Sequence, residues 1–235
     1  MYHAVGNGDW AIEEKAFARQ MELVVREARP LSLVQALGTN VESPLEVALT
    51  FDDGYASVFS HAFPVLKSLG LTAAVFLNTG LVGSKERTRS DPQAGHYPGE
   101  EFLLWSEVDS LLDAGWVMGS HGEHHLDHSR EPDAIVRSEL TESKRRLEEV
   151  VPGACLYFAY TWGRHTPRLR RLVAEAGYRW GLATMHGPIR PADDSFAVPR
   201  INIDQSYSLD DVRAVLRGDW DYLRFLQAWR TSSSS

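Results

Sequence analysis

Apolar positions along this chain alternate between two spacings. Short β-branched runs read as strands, and between them lie longer segments whose apolar residues recur every three or four positions, as on one face of a helix. Residues 11–28 place Phe17, Met21, Val24 and Ala28 on one face, which predicts a surface helix. Residues 45–51, LEVALTF, read as the first clear strand and end in Asp52, Asp53 and Gly54. The next helix, Ser57 to Leu69, contains Pro64, which should bend or interrupt it because proline has no N–H to donate.

A strand at Thr72 to Leu77 follows, then an excursion rich in Gly, Ser and charge from Gly80 to Glu101, then a helix at Ser106 to Ala114. The segment WVMGSHGEHH reads as a short strand running into a turn, and Asp133 to Val150 as a charged amphipathic helix. Strands near Leu156–Tyr160 and Trp180–Ala183 flank a helix at Pro167–Glu175, and FAVPRINI adds one more strand. Leu209 to Trp229 is helical with a break at Gly218. Six or seven strand-helix pairs in succession predict a parallel α/β barrel or a nearly closed one, with functional residues at the C-terminal strand ends.

At 235 residues and 43% hydrophobic content, the chain fits one large domain over residues 1–230, with the serine-rich 231–235 as a disordered tail. A net charge of -8 argues against a nucleic-acid surface and makes an anionic polymer a poor partner. The single cysteine, Cys155, excludes an internal disulfide and, in a predicted strand, reads as a buried, inert thiol. No apolar run is long enough for a membrane span, and MYHAVGNGDW lacks the regions of a signal peptide. The chain as written therefore reads as cytoplasmic, or as exported if a signal has been removed, and its compartment and oligomeric state stay open.

The chemistry concentrates in two places. Asp52 and Asp53 directly follow a strand, so that one carboxylate can bind a metal while the other acts as a base; the plain alternative is an Asp-rich turn before Gly54. His121 and His125 are four residues apart, within a cluster that includes His124 and His128, and one helical turn would bring both imidazoles to the same face. With one Asp they make an open three-ligand site that leaves positions for water and substrate, the alternative being an exposed, His-rich turn.

Together these motifs resemble the polysaccharide deacetylase family, the NodB-like carbohydrate esterases, over most of the chain. TFDDG stands intact at 50–54, and GSHGEHH at 119–125 matches the family's His-x-x-x-His motif, with Gly122 and Leu126 departing from the usual Ser or Thr and Pro. FAYTWGRH at 158–165 is similar to the third motif, departing at Thr161 and Trp162.

The resemblance implies a single-domain, distorted (β/α)7-type barrel of the NodB kind. It implies Asp52 as general base, and Asp53, His121 and His125 as ligands of one divalent metal, with zinc first and cobalt or nickel as alternatives. Ala159 stands where other members carry an Arg that orients the base. Arg200 is the substitute candidate, since a guanidinium holds a carboxylate with two bonds; the alternative is an ordinary surface Arg.

No late Leu-x-x-His segment supplies a general acid, whereas MYH at the start is similar to the circularly permuted exopolysaccharide deacetylase branch and makes His3 the acid. Trp105, Tyr160 and Trp162 are candidate sugar platforms, Trp162 foremost. The implied activity is removal of N-acetyl groups from a carbohydrate substrate of the N-acetylglucosamine type. Acetylxylan esters, a small amide, and a carbohydrate-binding homologue without turnover remain as alternatives.

Overall fold

The computed structural model describes residues 1–38, 45–153 and 155–225. The expected tail at 231–235 and the end of the last predicted helix, 226–229, lie outside them. Helix α1 (Glu14–Glu27) buries Phe17, Gln20, Met21, Leu23 and Val24 along one stripe, as its spacing predicts. Strand β1 (Arg29–Leu31) and helix α2 (Leu33–Gly38) follow, and neither was legible in the sequence: β1 is three residues long and contains Pro30, which is tolerated only where no ladder donor is needed.

The predicted strand 45–51 divides in two. Strand β2 (Glu46–Ala48) pairs with β1 as a parallel ribbon, and after Leu49 strand β3 (Thr50–Phe51) joins the main sheet. That sheet is parallel throughout and contains β3, β4 (Ala74–Leu77), β5 (Val117–Ser120), β6 (Tyr157–Ala159) and β7 (Trp180–Leu182) in that order. Its ends are extended by parallel bridges, Tyr2 to Phe51 on one side and Val198 to Leu182 on the other. The sheet curls into a half-barrel, and the N–H of Ile203 donates to the Met1 carbonyl at 2.9 Å, tying the two edges together. FAVPRINI was expected as a full strand; it makes only the Val198 bridge, because Pro199 interrupts the run of donors that a ladder requires.

The crossover segments sit where the periodicity puts them. Residues Val58–Ala62 widen into a π-turn immediately before α3 (Phe63–Ser68), an adjustment that absorbs the donor missing at Pro64. Helices α4 (Trp105–Asp113), α5 (Asp133–Glu148) and α6 (Pro167–Glu175) follow, α6 with Pro in its first turn and Thr166 accepting the Leu169 N–H at 3.1 Å. Helix α7 (Leu209–Arg217) ends at Gly218 in the left-handed conformation, the break that the sequence predicts.

Side-chain alternation along the strands sorts the interior into two layers. Val75, Leu77, Met118 and Phe158 face the helices in the main core, while Ala74, Phe76, Ala159, Leu182 and Val198 form a second cluster on the inner face. Continuing the inner-face alternation brings Thr50 to Asp52, Gly119 to His121 and Val198 to Arg200, so the curl of the sheet aims three separate strand ends at one place.

Gly119 is required there: a Cβ would lie 2.5 Å from Phe76 Cε1 on the neighbouring strand. Gly119→Ala should therefore destabilise the fold by about 1–3 kcal/mol through overpacking. Urea denaturation read by far-UV circular dichroism checks this; an unchanged midpoint would show that Phe76 is free to move aside.

Candidate active site

Asp52 and Asp53 diverge, though not by strand alternation. Regular pairing ends at Phe51, and Asp53 takes a left-handed backbone with φ 69°. Gly54 follows at φ 78°, where a Cβ would come within 2.7 Å of Leu77 Cδ2, so the turn is built for glycine. The Asp52 N–H donates to the Tyr2 carbonyl at 3.0 Å, and Asn78 Nδ2 donates to the Asp53 carbonyl at 3.3 Å. Among the described residues, the only other non-glycine residues with left-handed φ are His125 and Trp162, and all three meet at this site.

The imidazoles converge by a route different from the expected helical turn. Residues 121–125 are not helical: they leave β5 through an irregular turn with Gly122 at φ 89° and His125 at φ 57°. His121 Nδ1 lies 2.8 Å from the Ala159 carbonyl, and His125 Nδ1 lies 3.1 Å from the Ala94 carbonyl. A carbonyl only accepts, so each ring holds a proton on Nδ1 and turns the lone pair of Nε2 inward.

Both Nε2 atoms lie 3.3 Å from Asp53 Oδ1, which is buried without a hydrogen bond. Burial would raise the Asp53 pKa, but His121 and His125 outweigh it and hold the carboxyl well below the usual range. Burial would likewise depress His125, and the Asp53 carboxylate reverses this. Three buried lone-pair donors facing one another call for a cation, and the set fits an open two-His, one-carboxylate metal site.

Beside this triad, Arg200 grips Asp52 with two bonds, Nη1 to Oδ1 at 2.6 Å and Nη2 to Oδ2 at 2.7 Å, with both residues buried. Arg200 Nε also donates to the Ala183 carbonyl at 3.2 Å, and the guanidinium lies over the Phe76 ring. Arg200 is thus no ordinary surface residue. Burial would raise the Asp52 pKa, yet Arg200 holds it below the usual value, so Asp52 is an ionised carboxylate.

His3 is ordered despite its position near the end of the chain, because Tyr2 is paired with β3 through its N–H to the Thr50 carbonyl at 2.8 Å. Its ring stacks on Tyr97 with centroids 5.2 Å apart. Burial lowers its pKa, while Asp53 and Asp52 act in the opposite direction.

The three aromatic candidates separate. Trp162 remains 45% exposed with its ring centroid 4.6 Å from that of His125, at the rim of the site. Gly95 lets the excursion approach the indole, since a Cβ there would sit 2.6 Å from Trp162 Cζ2. Tyr160, in contrast, is fully buried, and its hydroxyl donates to the Phe196 carbonyl at 2.9 Å, so it offers no face to a sugar. Trp105 is half-buried and packs against the main core at the start of α4. Cys155 is buried, and its thiol is pushed up to about 11 by that burial, as expected of an inert cysteine.

Several contributors escaped the sequence reading. The Tyr55 hydroxyl accepts the Tyr97 N–H at 2.7 Å, and its nearness to the Asp53 carboxylate adds to burial in raising its pKa; its position directly after Gly54 was the available signal. Ala94 and Tyr97 come from the excursion at 80–101, where no periodicity marks them. Glu139 on α5 accepts from backbone N–H groups of the 121–125 turn, and its signal was a carboxylate on the buried stripe of Val136, Leu140, Ser143 and Leu147.

A family model described as polysaccharide deacetylase matches residues 40–181. A poly-beta-1,6-N-acetyl-D-glucosamine N-deacetylase of Staphylococcus epidermidis is 21% identical over 226 residues, covering 91% of this chain and 73% of that protein. Among solved structures, IcaB from Ammonifex degensii superposes with a TM-score of 0.76 at 23% identity, covering 92% of this chain and 94% of that one. The Streptococcus pyogenes deacetylase PplD, solved in complex with acetate, gives a TM-score of 0.76 at 20% identity over 92% of this chain and 96% of that one. These likenesses carry the fold, and the family match carries the membership: this chain belongs to the polysaccharide deacetylase family.

Proposed function

We propose that this deacetylase removes N-acetyl groups from a polysaccharide or oligosaccharide of the N-acetylglucosamine type, with one divalent metal held by Asp53, His121 and His125. The observation that carries the reading is the convergence of three buried lone-pair donors beside a separate carboxylate that Arg200 keeps ionised. The S. epidermidis relative, named for N-deacetylation of poly-N-acetylglucosamine, supports the choice of substrate.

A divalent ion, when bound, lowers the pKa of water toward neutrality and polarises an acyl carbonyl, with zinc preferred and cobalt or nickel as substitutes. Asp52 accepts the proton of the attacking water, and the two bonds from Arg200 fix its orientation. His3 protonates the departing amine, its imidazolium made more acidic by burial. Trp162 offers its exposed face to a sugar ring next to the scissile amide.

Metal content measured with amine release from N-acetylglucosamine oligomers tests this division of labour. Wild type should hold about one ion per chain and release amine, Asp53→Ala should lose the ion, and Asp52→Asn should keep the ion but not turnover. Wild type without metal after incubation with zinc, cobalt or nickel would return the His cluster to a polar turn. Release of acetate from acetylated xylan alone would move the substrate to esters, and oligomer binding without product would make the chain a carbohydrate-binding homologue.

His3→Ala should lower kcat by about 10²- to 10⁴-fold with metal stoichiometry unchanged, the range typical of a lost general acid. Unchanged turnover removes His3 from the mechanism. Trp162→Ala should raise KM for oligomers while sparing metal binding, and an unaltered KM would leave the indole as packing for His125.

A further inference from the structure

The two candidate His ligands sit on a turn that secondary structure does not hold. A helix would have supplied its own backbone hydrogen bonds; here residues 121–125 must find partners elsewhere, and two of them carry left-handed φ. The carbonyls are met from the neighbouring strand end, Gly122 by the Thr79 N–H at 3.1 Å and Glu123 by the Gly80 N–H at 2.9 Å. The Gly122 N–H donates to Ser120 Oγ at 3.1 Å. The two remaining central donors, the N–H groups of Glu123 and His124, both go to Glu139 Oε2, at 2.8 and 3.0 Å. Glu139 Oε1 lies 2.8 Å from His124 Nδ1.

We infer that Glu139 is a positioning residue for the metal centre: from α5, its carboxylate clamps the backbone between His121 and His125 and so sets the angle at which both Nε2 atoms face Asp53. This rests on the metal-site reading above. Gly122 is where the family's motif usually has Ser or Thr, and no side chain fits: a Cβ there would come within 2.7 Å of His128 Cε1 and 3.3 Å of Glu139 Oε2. The hydroxyl that this motif usually carries is thus absent, and a carboxylate from the adjacent helix occupies the space beside it.

Glu139 is not itself part of a second cation site with Glu123 and His124. Its oxygens are already engaged, and Glu123 pairs with Arg146 at 3.0 Å. Burial would raise its pKa, but the neighbouring His128 and His124 imidazoles and the two backbone amides outweigh it and hold the carboxyl down at about 2, so the clamp is ionised throughout the neutral range.

The test is calorimetric titration of zinc into metal-free wild type, Glu139→Ala, Glu139→Gln and Asp53→Ala, with far-UV circular dichroism confirming the fold of each and the cobalt visible spectrum reporting ligand geometry. Glu139→Ala should weaken zinc binding by about 10- to 100-fold and alter the cobalt spectrum, the size expected when an outer partner of a ligand is lost. Glu139→Gln, whose amide oxygen can still accept from both N–H groups, should recover most of that loss. Glu148→Ala, which removes a carboxylate farther along the same helix, should bind zinc as wild type does.

If Glu139→Ala does not fold, Glu139→Asp, one methylene shorter, gives the same reading through a smaller loss. Wild-type affinity and spectrum in a folded Glu139→Ala or Glu139→Asp overturn the clamp while leaving the metal site intact, since Asp53→Ala still abolishes binding. Absence of zinc binding in wild type overturns both.

Discussion

A buried carboxylate oxygen with two imidazole lone pairs turned toward it is a costly arrangement unless a cation joins it, because unsatisfied polar atoms lose their hydration without replacement. Around Asp53 this is what the fold enforces. The Ala159 and Ala94 carbonyls occupy the outer nitrogens of His121 and His125 and leave Nε2 of each for the centre. Much of the surrounding architecture serves that geometry: the end of β6 supplies one carbonyl, the excursion at 80–101 supplies the other, and the turn after β5 presents both rings. Local strain concentrates there too, in the left-handed backbones of Asp53 and His125, and surrounding hydrogen bonds hold it in place.

The second organising feature is the buried Asp52–Arg200 pair. It joins β3 to the segment after Val198, residues 148 apart in sequence, across the place where the edges of the curled sheet come together. A buried ion pair contributes little net stability compared with apolar packing, but losing one partner strands the other charge. Its value here is orientation: Asp52 stays ionised and fixed beside the triad, separate from the carboxylate that faces the imidazoles. Two adjacent residues thereby acquire different chemistry from their environments, one gripped by a guanidinium and one turned to the two imidazoles by its left-handed backbone.

The sequence carried the fold class and the cast of the site more clearly than its geometry. Periodicity located α1, α5 and α6 because their buried stripes are long, and it missed β1 and α2 because elements of three and six residues leave too little pattern to read. The spacing of His121 and His125 suggested a helical turn, yet four residues of separation also fit an irregular turn, and nothing in residue type announces a positive φ at His125. Tyr160 was misread although alternation was available: Tyr157 and Ala159 face inward, so Phe158 belongs to the helix side and Tyr160 continues it. Arg200 could be nominated from its strand-end position, whereas Ala94 acts through its carbonyl, which no side-chain pattern encodes.

The most direct measurement of the central claim is zinc-edge X-ray absorption on the zinc-loaded protein. The account predicts a first shell of nitrogen and oxygen at about 2.0–2.2 Å, with outer-shell scattering from two imidazoles that falls by half in either His121→Ala or His125→Ala. A zinc shell without imidazole scattering, or one indifferent to both substitutions, would contradict it.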